Sequence, residues 1–244
     1  MISMQHISKI YRTELIETHA LRDFSLEVRE GEFVAVSGPS GSGKTSFLNV
    51  AGLLEDFETG SYHLDGVDVT QLSDDRRSRI RNEKIGFIFQ SFNLIPDLNV
   101  FDNVDVPLRY RRMSATERKR RIIGAIERMG LTSRSKHIPA QLSGGQQQRV
   151  AVARALAGDP RVLLADEPTG NLDSLMARQI MDLLEEINNA GTTIIMVTHS
   201  PELAQRAHRT VHIVDGQLTE IQPYEPHPAG TLKAAGMLQE SPAS

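Results

Sequence analysis

Residues 33–46 read FVAVSGPSGSGKTS, an apolar run that leads into a glycine-rich segment. The apolar run at residues 33–36 is typical of a strand covered on both faces of a sheet. After the glycines, residues 44–54 place their apolar side chains at helical spacing. A strand, a glycine-rich loop and a helix in this order form the context of a P-loop, a backbone cradle for phosphate groups.

Each part of this P-loop has a defined task. The glycines let successive backbone N–H groups converge on phosphate oxygens. Lys44 adds a positive charge at the β and γ positions, and the Thr45 hydroxyl is placed to ligate Mg²⁺. A dinucleotide-binding fingerprint is excluded because Ser46 stands where a third glycine would be needed. The predicted nucleotide-binding residues here are Gly38, Pro39, Ser40, Gly41, Ser42, Gly43, Lys44, Thr45 and Ser46.

A second glycine-containing segment also precedes a helix. Residues 142–146 read LSGGQ, and residues 147–156 are strong helix formers. Ser143 fits an N-cap, and the glycines keep the helix N-terminus open to a phosphate. A plain capping turn is the alternative, although a cap does not need two adjacent glycines. The predicted phosphate contacts are Ser143, Gly144, Gly145 and Gln146. Because one nucleotide needs only the P-loop, the second site suggests that two copies of the chain close around shared ATP.

A buried strand at residues 162–166 ends in two carboxylates, Asp166 and Glu167. Such strand ends open onto the ligand crevice of an α/β sheet. In isolation this pair would be a solvated turn, but the P-loop upstream favours a catalytic site. We expect Asp166 to lie near Mg²⁺ and Glu167 to orient and deprotonate the attacking water.

Two more predicted strands end in polar residues. His199 follows residues 192–198 and is a candidate γ-phosphate sensor, while Gln90 follows residues 85–89 and could reach Mg²⁺ or the water. Tyr11 is a candidate to stack on adenine, with a role in the core as the alternative. The predicted catalytic residues are thus Glu167, His199, Gln90 and Lys44, and the predicted Mg²⁺ ligands are Thr45, Gln90 and Asp166.

His208 and His212 have i, i+4 spacing, but no third ligand is evident, so we predict no metal site there.

The bulk composition excludes several classes of protein. A formal net charge of -4 over 244 residues argues against a surface that holds nucleic acid. The chain has no cysteine, hence no disulfide and no thiolate metal site. No apolar stretch approaches the ~18 residues that span a bilayer, and the N-terminus lacks the pattern of a signal peptide. We therefore expect a role at a membrane to come through a partner.

Six separate motifs occur here in the order found in the ATP-binding cassette (ABC) ATPases, and the chain closely resembles that family. The motifs are Tyr11, the P-loop, Gln90, residues 142–146, Asp166-Glu167 with residues 171–173, and His199. Residues 86–94 (GFIFQSFNL) and 163–173 (LLADEPTGNLD) look most like the ATPase subunits of macrolide-exporter and lipoprotein-release systems and their cell-division relatives. Residues 12–18 depart from the pattern, because they lack the glycine-containing turn common after the family's aromatic residue.

The resemblance implies an α/β fold: a P-loop NTPase (RecA-like) core of the ABC ATPase type. An N-terminal antiparallel β subdomain and an inserted helical subdomain would complete it. The core would comprise about residues 1–90 and 160–221, and the helical subdomain about residues 91–159. Residues 1–221 would then form one ATPase domain, followed by a disordered tail at residues 222–244, which is rich in proline and small residues.

The resemblance also implies a head-to-tail homodimer with ATP and Mg²⁺ at the interface. Lys44 of one copy and Ser143 of the other would hold the same γ-phosphate, and Asp173 would lie at the dimer seam and couple the two sites. The stretch from Phe92 to Val104 would present an exposed apolar groove to an integral membrane permease. Such a subunit would be peripheral, at the cytoplasmic face of the bacterial inner membrane.

Three functions remain open at this point. The leading hypothesis is the nucleotide-binding subunit of a membrane complex, in which ATP-driven dimer closure moves a permease. The second keeps the membrane partner but transmits a signal across the membrane, as in the cell-division relatives. The third is a soluble ABC ATPase of DNA repair or translation. Against the third, the chain has no sustained heptads between the two phosphate-binding segments, no zinc-binding cysteines and only one cassette.

Overall fold

The computed structural model describes residues 1–13 and 16–223. Its strands are β1 (Ile2–Arg12), β2 (Glu17–Val28), β3 (Phe33–Ser37), β4 (Thr59–Leu64), β5 (Val67–Asp68), β6 (Ile85–Phe89), β7 (Val162–Asp166), β8 (Thr193–Val197), β9 (Arg209–Val214) and β10 (Gln217–Pro223). Its α-helices are α1 (Lys44–Ala51), α2 (Asp74–Lys84), α3 (Val100–Asp105), α4 (Ala115–Arg128), α5 (Gly144–Leu156), α6 (Ser174–Asn189) and α7 (Pro201–Ala204). Short 3-10 helices lie at Val106–Tyr110, Thr132–Arg134 and Pro139–Gln141.

The first sheet is antiparallel, with the strand order β2-β1-β4-β5. Asp65 and Gly66 connect β4 to β5 with φ values of 51° and 74°, the conformation of a two-residue hairpin turn. An alternation of buried and exposed residues with a period of two does not predict β1, because register shifts in the pairing of this strand interrupt the alternation. Ile2 and Met4 are buried on one face, but the next buried residue is Ile7.

The second sheet has six strands in the order β10-β9-β3-β8-β7-β6. All neighbours in it run parallel except β10, which pairs antiparallel with β9 at the edge. Phe89 lies opposite Asp166, Asp166 lies opposite Val197, and Val197 also lies opposite Val36. The carboxyl ends of β6, β7, β8 and β3 are therefore level, so the residues that follow them meet at one edge of the sheet.

A hydrophobic core covers each face of the six-stranded sheet. Alternate residues of β8 enter opposite cores: Ile194 and Met196 pack with buried side chains of α3 to α6, and Ile195 and Val197 with α1 and the antiparallel sheet. Both faces of the central strands are thus covered, which explains their continuous apolar runs.

Between β6 and β7 the described chain contains helices and no strand. The predicted helix from Ser114 to Met129 is α4, and the Ser114 hydroxyl caps it by accepting from the Glu117 N–H at 3.1 Å. The boundaries given for the helical subdomain stay a prediction. None of the helices within residues 1–13 and 16–223 combines the length and apolar character that crossing a membrane requires.

The helical spacing of His208 and His212 does not reflect a helix. His212 lies in β9 and His208 just before it. The Phe33 N–H donates to His208 Nδ1 at 3.2 Å, and His212 Nδ1 lies 2.8 Å from Ser37 Oγ. Both imidazoles therefore join β9 to β3.

The C-terminal boundary predicted for the ATPase domain stays a prediction. β10 continues to Pro223, past the predicted end of the ATPase domain at residue 221. The rest of the predicted disordered tail, residues 224–244, lies outside the described residues.

Candidate active site

The P-loop connects the end of β3 to the start of α1, as the sequence predicts. Gly38 and Gly43 have φ values of 149° and 104°. A Cβ atom on Gly38 would lie 2.1 Å from the carbonyl oxygen of Ile213, and one on Gly43 would lie 2.3 Å from that of Ala20. The loop therefore needs glycine at both positions to pack against the neighbouring backbone.

Lys44, the first residue of α1, is buried against its own loop. Its ammonium group donates to the carbonyl oxygens of Gly38 at 2.9 Å and Pro39 at 2.7 Å. Burial lowers the pKa of Lys44, while the negative charges of Glu167 and Asp166 act in the opposite direction. The lysine thus lies between the P-loop and the carboxylates at the end of β7.

The hydroxyl groups of Ser42 and Thr45 in the P-loop have no partner among the described residues. The Ser42 side chain is buried, and its Oγ atom makes no hydrogen bond. Thr45 is exposed, and its hydroxyl is also without a hydrogen bond to a described residue. A buried hydroxyl without a partner is uncommon in folded proteins, so these residues fit a loop that offers groups to an anionic ligand.

The strand-end residues Asp166, Glu167 and His199 form one cluster with Lys44. Glu167 turns the chain with a φ of 44°, which is uncommon for a residue other than glycine, and its N–H donates to the Val197 carbonyl at 3.0 Å. Its Oε1 lies 2.8 Å from Nε2 of His199. Burial and then the charge of Glu167 raise the pKa of Asp166, against the effect of Lys44 and His199. Residues that the sequence predicts separately are therefore adjacent.

Gln90 lies against the loop that follows Glu167. A Cβ atom on Gly170 would lie 2.7 Å from Nε2 of Gln90. The carbonyl oxygen of Gln90 accepts from the Asn171 side chain at 3.0 Å, and the Gly170 N–H donates to the Glu167 carbonyl at 3.0 Å. Two separately predicted motifs are thus held together by direct contacts.

The second phosphate-binding segment begins α5 with a reciprocal cap. The Ser143 hydroxyl accepts from the Gln146 N–H at 3.3 Å, and the Gln146 side chain accepts from the Ser143 N–H at 3.0 Å. Ser143 is exposed, and Gly145 packs against Met176 of α6. The predicted N-cap at Ser143 is present in the structure.

Asp173 caps α6. Its carboxylate accepts from the N–H groups of Leu175 at 3.0 Å and Met176 at 2.9 Å. Asp173 is exposed, as is the apolar side chain of Leu175. Within one chain, Asp173 thus fixes the start of a helix, and its predicted place at a dimer seam stays a prediction.

Tyr11 is fixed by a polar cluster beside α1. Its hydroxyl donates to Glu55 Oε2 at 2.5 Å and accepts from Ser46 Oγ at 3.3 Å. Burial and the hydrogen bond to Glu55 raise the pKa of Tyr11. Lys9 lies 5.1 Å from the centre of the ring and 3.7 Å from the Glu55 carboxylate. Tyr11 is only partly exposed and is bound to the P-loop helix through Ser46, so it is neither a core residue nor a free surface side chain.

Sequence reasoning did not identify Glu55 or Lys9. Neither belongs to a recognisable motif, and Glu55 is far from Tyr11 along the chain. The only signal available was the period of β1, which places Lys9 and Tyr11 on the same face of the strand. That signal is weakened by the register shifts in β1.

A groove of about 1100 Å³ runs beside β6. We call it the lateral groove; it is bounded by α2, β6, the 3-10 helix Val106–Tyr110 and the end of α5. Phe87 and Phe89 form part of its floor, with stacked rings whose centres are 5.6 Å apart. The stretch from Phe92 to Val104, predicted to form such a groove, contributes Asn93 to its lining, whereas Val104 is buried in the core. The groove therefore lies beside the predicted segment.

A P-loop at the edge of a mainly parallel sheet, with carboxylates after a neighbouring strand, defines the class of P-loop nucleotide hydrolases. Residues 21–170 match the family model described as ABC transporter. The chain belongs to the ABC transporter family, and it is an ATPase of the ATP-binding-cassette type. The predicted family and fold class are thereby confirmed.

Several proteins of this family are similar along most of the chain. The "Uncharacterized ABC transporter ATP-binding protein YvrO" of Bacillus subtilis is 46% identical over 218 residues, which are 89% of this chain and 95% of that protein. The "Macrolide export ATP-binding/permease protein MacB" of Syntrophobacter fumaroxidans is 47% identical over 219 residues, 88% of this chain but 31% of that longer protein. The chain thus corresponds to a part of MacB.

A solved structure supports the fold comparison. It is described as "Dimeric structure of a post-hydrolysis state of the ATP-binding cassette MJ0796 bound to ADP and Pi". The aligned region covers 93% of this chain and 100% of the chain in that structure. The TM-score is 0.84 and the sequence identity is 40%. The MJ0796 protein of Methanocaldococcus jannaschii is 44% identical to this chain over 223 residues.

Proposed function

We propose that this chain is the nucleotide-binding subunit of a membrane transport complex, in which two copies close around ATP and drive a permease. The contact between Glu167 and His199, beside Lys44, is the observation that carries the proposal. It gives a base, its orienting partner and a phosphate-binding cation in one cluster.

In the hydrolysis step, Glu167 accepts a proton from a water molecule that attacks the γ-phosphorus. The bond from the γ-phosphorus to the bridging oxygen breaks, and ADP keeps that oxygen. His199 holds the Glu167 carboxylate and faces the γ-phosphate. Lys44 exchanges the loop carbonyls of Gly38 and Pro39 for phosphate oxygens, which are better partners because they carry negative charge.

The residues present fit Mg²⁺. Thr45, Asp166 and Gln90 offer a hydroxyl, a carboxylate and an amide oxygen, and Mg²⁺ prefers such hard oxygen donors. Lys44 alone is a modest counterion for a triphosphate, and bound Mg²⁺ supplies further neutralisation of the phosphate charge. We propose these three residues as its ligands.

The second phosphate-binding segment supports a head-to-tail dimer. Ser143 is exposed at the start of α5, and no hydrogen bond or ion pair between described residues joins residues 143–146 to residues 38–46 of the same chain. We infer that Ser143 contacts the γ-phosphate held by Lys44 of a second copy, with Asp173 at the seam. The MJ0796 cassette, which is similar in fold, is dimeric with ADP and Pi.

We infer that the lateral groove receives the permease. It is apolar at its floor and open to solvent, which suits a docked protein segment.

The complex would hold this chain at the cytoplasmic face of the bacterial inner membrane. Similarity to a part of MacB supports export or force transmission, while signalling across the membrane is the alternative. Reconstitution of the co-purified permease with candidate cargo distinguishes transport from signalling across the membrane.

The closing of two copies around ATP is tested with Glu167→Gln. Without the carboxylate base, we expect ATP turnover to fall at least about a hundredfold, while an ATP-bound dimer accumulates. The measurements are phosphate release and the molar mass from sedimentation with ATP. Glu27→Gln, an exposed change on β2, is the control and should leave both unchanged. A Glu167→Gln protein that stays monomeric with ATP and hydrolyses it at the normal rate would refute the proposal.

A further inference from the structure

The Glu55 side chain, in the segment between α1 and β4, is bound from two elements. Its Oε2 accepts from the Tyr11 hydroxyl of β1 at 2.5 Å, and its Oε1 accepts from Asn49 Nδ2 of α1 at 2.9 Å. The Glu55 N–H also donates to the Asn49 carbonyl at 3.3 Å. Both carboxylate oxygens are thus bound, so the carboxylate is a fixed group and not a mobile surface charge.

The segment that carries Glu55 is itself bound to β1. The Glu58 N–H donates to the Ser8 carbonyl at 2.8 Å, and the Glu58 carboxylate accepts from the Ile10 N–H at 2.8 Å. The Lys9 ammonium lies 3.7 Å from the Glu55 carboxylate. Three successive residues of β1 therefore hold the segment, and they fix the position of Glu55 relative to the tyrosine that follows them.

The ring of Tyr11 is restricted at two places. The Lys9 ammonium lies over the ring, 5.1 Å from its centre, and the hydroxyl at the far end is held by Glu55. Tyr11 is nevertheless 38% exposed. The ring face opposite Lys9 is therefore the one left for a planar ligand, and the direction of the ring is set by the bond at its hydroxyl.

The same hydroxyl joins the ring to the helix of the P-loop. It accepts from Ser46 Oγ at 3.3 Å, and Ser46 lies in the first turn of α1, two residues after Lys44. Burial and the hydrogen bond to Glu55 raise the pKa of Tyr11, so the phenol stays protonated and remains the donor to Glu55. The separation between the ring and the P-loop helix is thus set by the protein itself.

We propose that Glu55 is a positioning residue for the base of ATP: it holds the ring of Tyr11 where adenine stacks, while Lys44 and its loop hold the phosphates. This inference rests on the ATP site of the proposed function and on the predicted stacking of Tyr11. Aromatic rings attract each other only in certain relative orientations. A side chain that is already fixed in the binding orientation loses less freedom when the ligand binds.

The carboxylate of Glu55 suits this task better than a neutral group. A hydrogen bond to an ionised acceptor is shorter and stronger than one between neutral groups. The second oxygen of the same carboxylate binds Asn49 of α1, so one side chain connects the stacking ring to the helix that begins at the phosphates. Glu55 thus acts through Tyr11 and has no assigned contact with ATP.

The test is a double-mutant cycle on the affinity for ATP. Tyr11→Phe removes the hydroxyl and keeps the ring, and Glu55→Ala removes the group that holds it. We expect each change to raise the Kd for ATP about fivefold, the size of the freedom that one side chain loses on binding. The double variant should also show about fivefold and not about 25-fold, because both changes remove one interaction. Turnover at saturating ATP should change less than about twofold.

A ligand without a base separates stacking from phosphate binding. The affinity for inorganic tripolyphosphate with Mg²⁺ should be the same in the unmodified chain and in all three variants. Glu55→Gln keeps an acceptor for the phenol and should recover most of the affinity for ATP that Glu55→Ala loses. Glu17→Ala is the control, since it removes the carboxylate that Arg12, the next residue of β1, binds at 2.9 Å. It should leave the affinity for ATP unchanged.

Three results overturn the proposal. The first is a normal affinity of Tyr11→Phe for ATP, which can be measured even if Glu55→Ala does not fold. The second is an effect of Glu55→Ala that is equally large with and without the Tyr11 hydroxyl. The third is an equal loss of affinity for tripolyphosphate, which would show that Glu55 acts on the P-loop. Circular dichroism and urea unfolding check that each variant is folded.

Two further measurements keep the premises separate from the proposal. If Tyr11→Ala binds ATP as tightly as the unmodified chain, Tyr11 does not stack on the base, and the proposal is wrong together with that prediction. Dimerisation of Glu167→Gln with ATP is measured with Tyr11 and Glu55 unchanged. It can succeed while the double-mutant cycle fails, so the outcome for the proposed function is distinct.

Discussion

Glu167 holds a backbone conformation that costs a residue other than glycine about 1–3 kcal/mol. The bond from its N–H to the Val197 carbonyl fixes this turn, and the carboxylate then lies against His199. Strain of this kind persists where the surrounding structure determines it, often at functional sites. The backbone thus orients the carboxylate before any substrate arrives.

This arrangement predicts the effect of His199→Ala. Turnover should fall about a hundredfold, because Glu167 loses the group that orients it. ATP affinity and folding should change little, since half of the His199 side chain is exposed. Phosphate release and equilibrium binding of ATP are the measurements, and His63→Ala, an exposed change on β4, is the control. Normal hydrolysis by His199→Ala would remove this role.

At the residue scale, sequence reasoning located polar residues that follow strands, and their catalytic roles stay predictions. Asp166, Glu167 and His199 could be predicted because the ends of parallel strands meet at one edge of a sheet. Their hydrogen-bond partners could not, because partners depend on side-chain direction. Glu55 is an example: it lies in the loop between α1 and β4 and accepts from the Tyr11 hydroxyl, and no spacing rule connects the two.

At the scale of elements, the P-loop is shaped by the strands it packs on. Gly38 faces a carbonyl oxygen of β9, whereas a Cβ atom on Gly41 would meet nothing within 4 Å. Both residues have positive φ, so both carry the backbone cost of about 1–2 kcal/mol when replaced. Only Gly38 adds a steric conflict.

Gly38→Ala and Gly41→Ala therefore form a matched pair. We expect Gly38→Ala to lower the free energy of unfolding by at least about 2 kcal/mol more than Gly41→Ala. It should also abolish ATP binding, because the loop must shift from the backbone behind it. Urea unfolding and nucleotide titration measure both effects. Equal behaviour of the two variants would show that the contact with Ile213 is unimportant.

Tyr62 joins β4 to α1 in the interior. Its hydroxyl donates to the Ala51 carbonyl at 2.7 Å, and burial raises the pKa of Tyr62 far above its ordinary value. In the folded chain the phenol stays neutral, whereas in the unfolded chain it ionises above about pH 10. Its contribution to stability is therefore complete below about pH 10 and is lost as the pH rises further.

Tyr62→Phe should cost about 1 kcal/mol at neutral pH through the lost hydrogen bond. Above about pH 10 the variant should lose stability less steeply than the unmodified chain, since it has no buried phenol to ionise. Denaturant unfolding at several pH values measures this difference. The matched control is Tyr110→Phe, because Tyr110 is 81% exposed. Identical alkaline slopes for Tyr62→Phe and the unmodified chain would contradict the argument.

At the scale of the whole molecule, the order of the motifs predicted the fold. Which residues are exposed at the surface depends on packing, which the motif order does not give. The register shifts that hide β1 in the sequence are a property of its pairing with β2 and β4. The lateral groove lies beside its predicted position because Val100 and Val104 turn into the core. Apolar residues on a short helix do not reveal which of them will be covered.

A shared nucleotide has a consequence for stability. For Glu167→Gln with ATP, the melting temperature should rise with protein concentration, because dimerisation stabilises only the folded state. Without nucleotide, or with ADP, it should not depend on concentration. Scanning calorimetry over a tenfold dilution series tests this. A melting temperature independent of concentration with ATP would contradict a dimer that ATP holds together.

Arg154 of α5 donates to the carbonyl oxygens of Phe92 and Asn93, so this helix also contacts the segment that follows Gln90. This helix of 13 residues is about 20 Å long, and it starts at the cap formed by Ser143. Near the other end of the helix, Arg154 binds the segment that follows Gln90. If Ser143 contacts a second copy as proposed, a tilt imposed on α5 at that contact would reach the segment after Gln90 through Arg154.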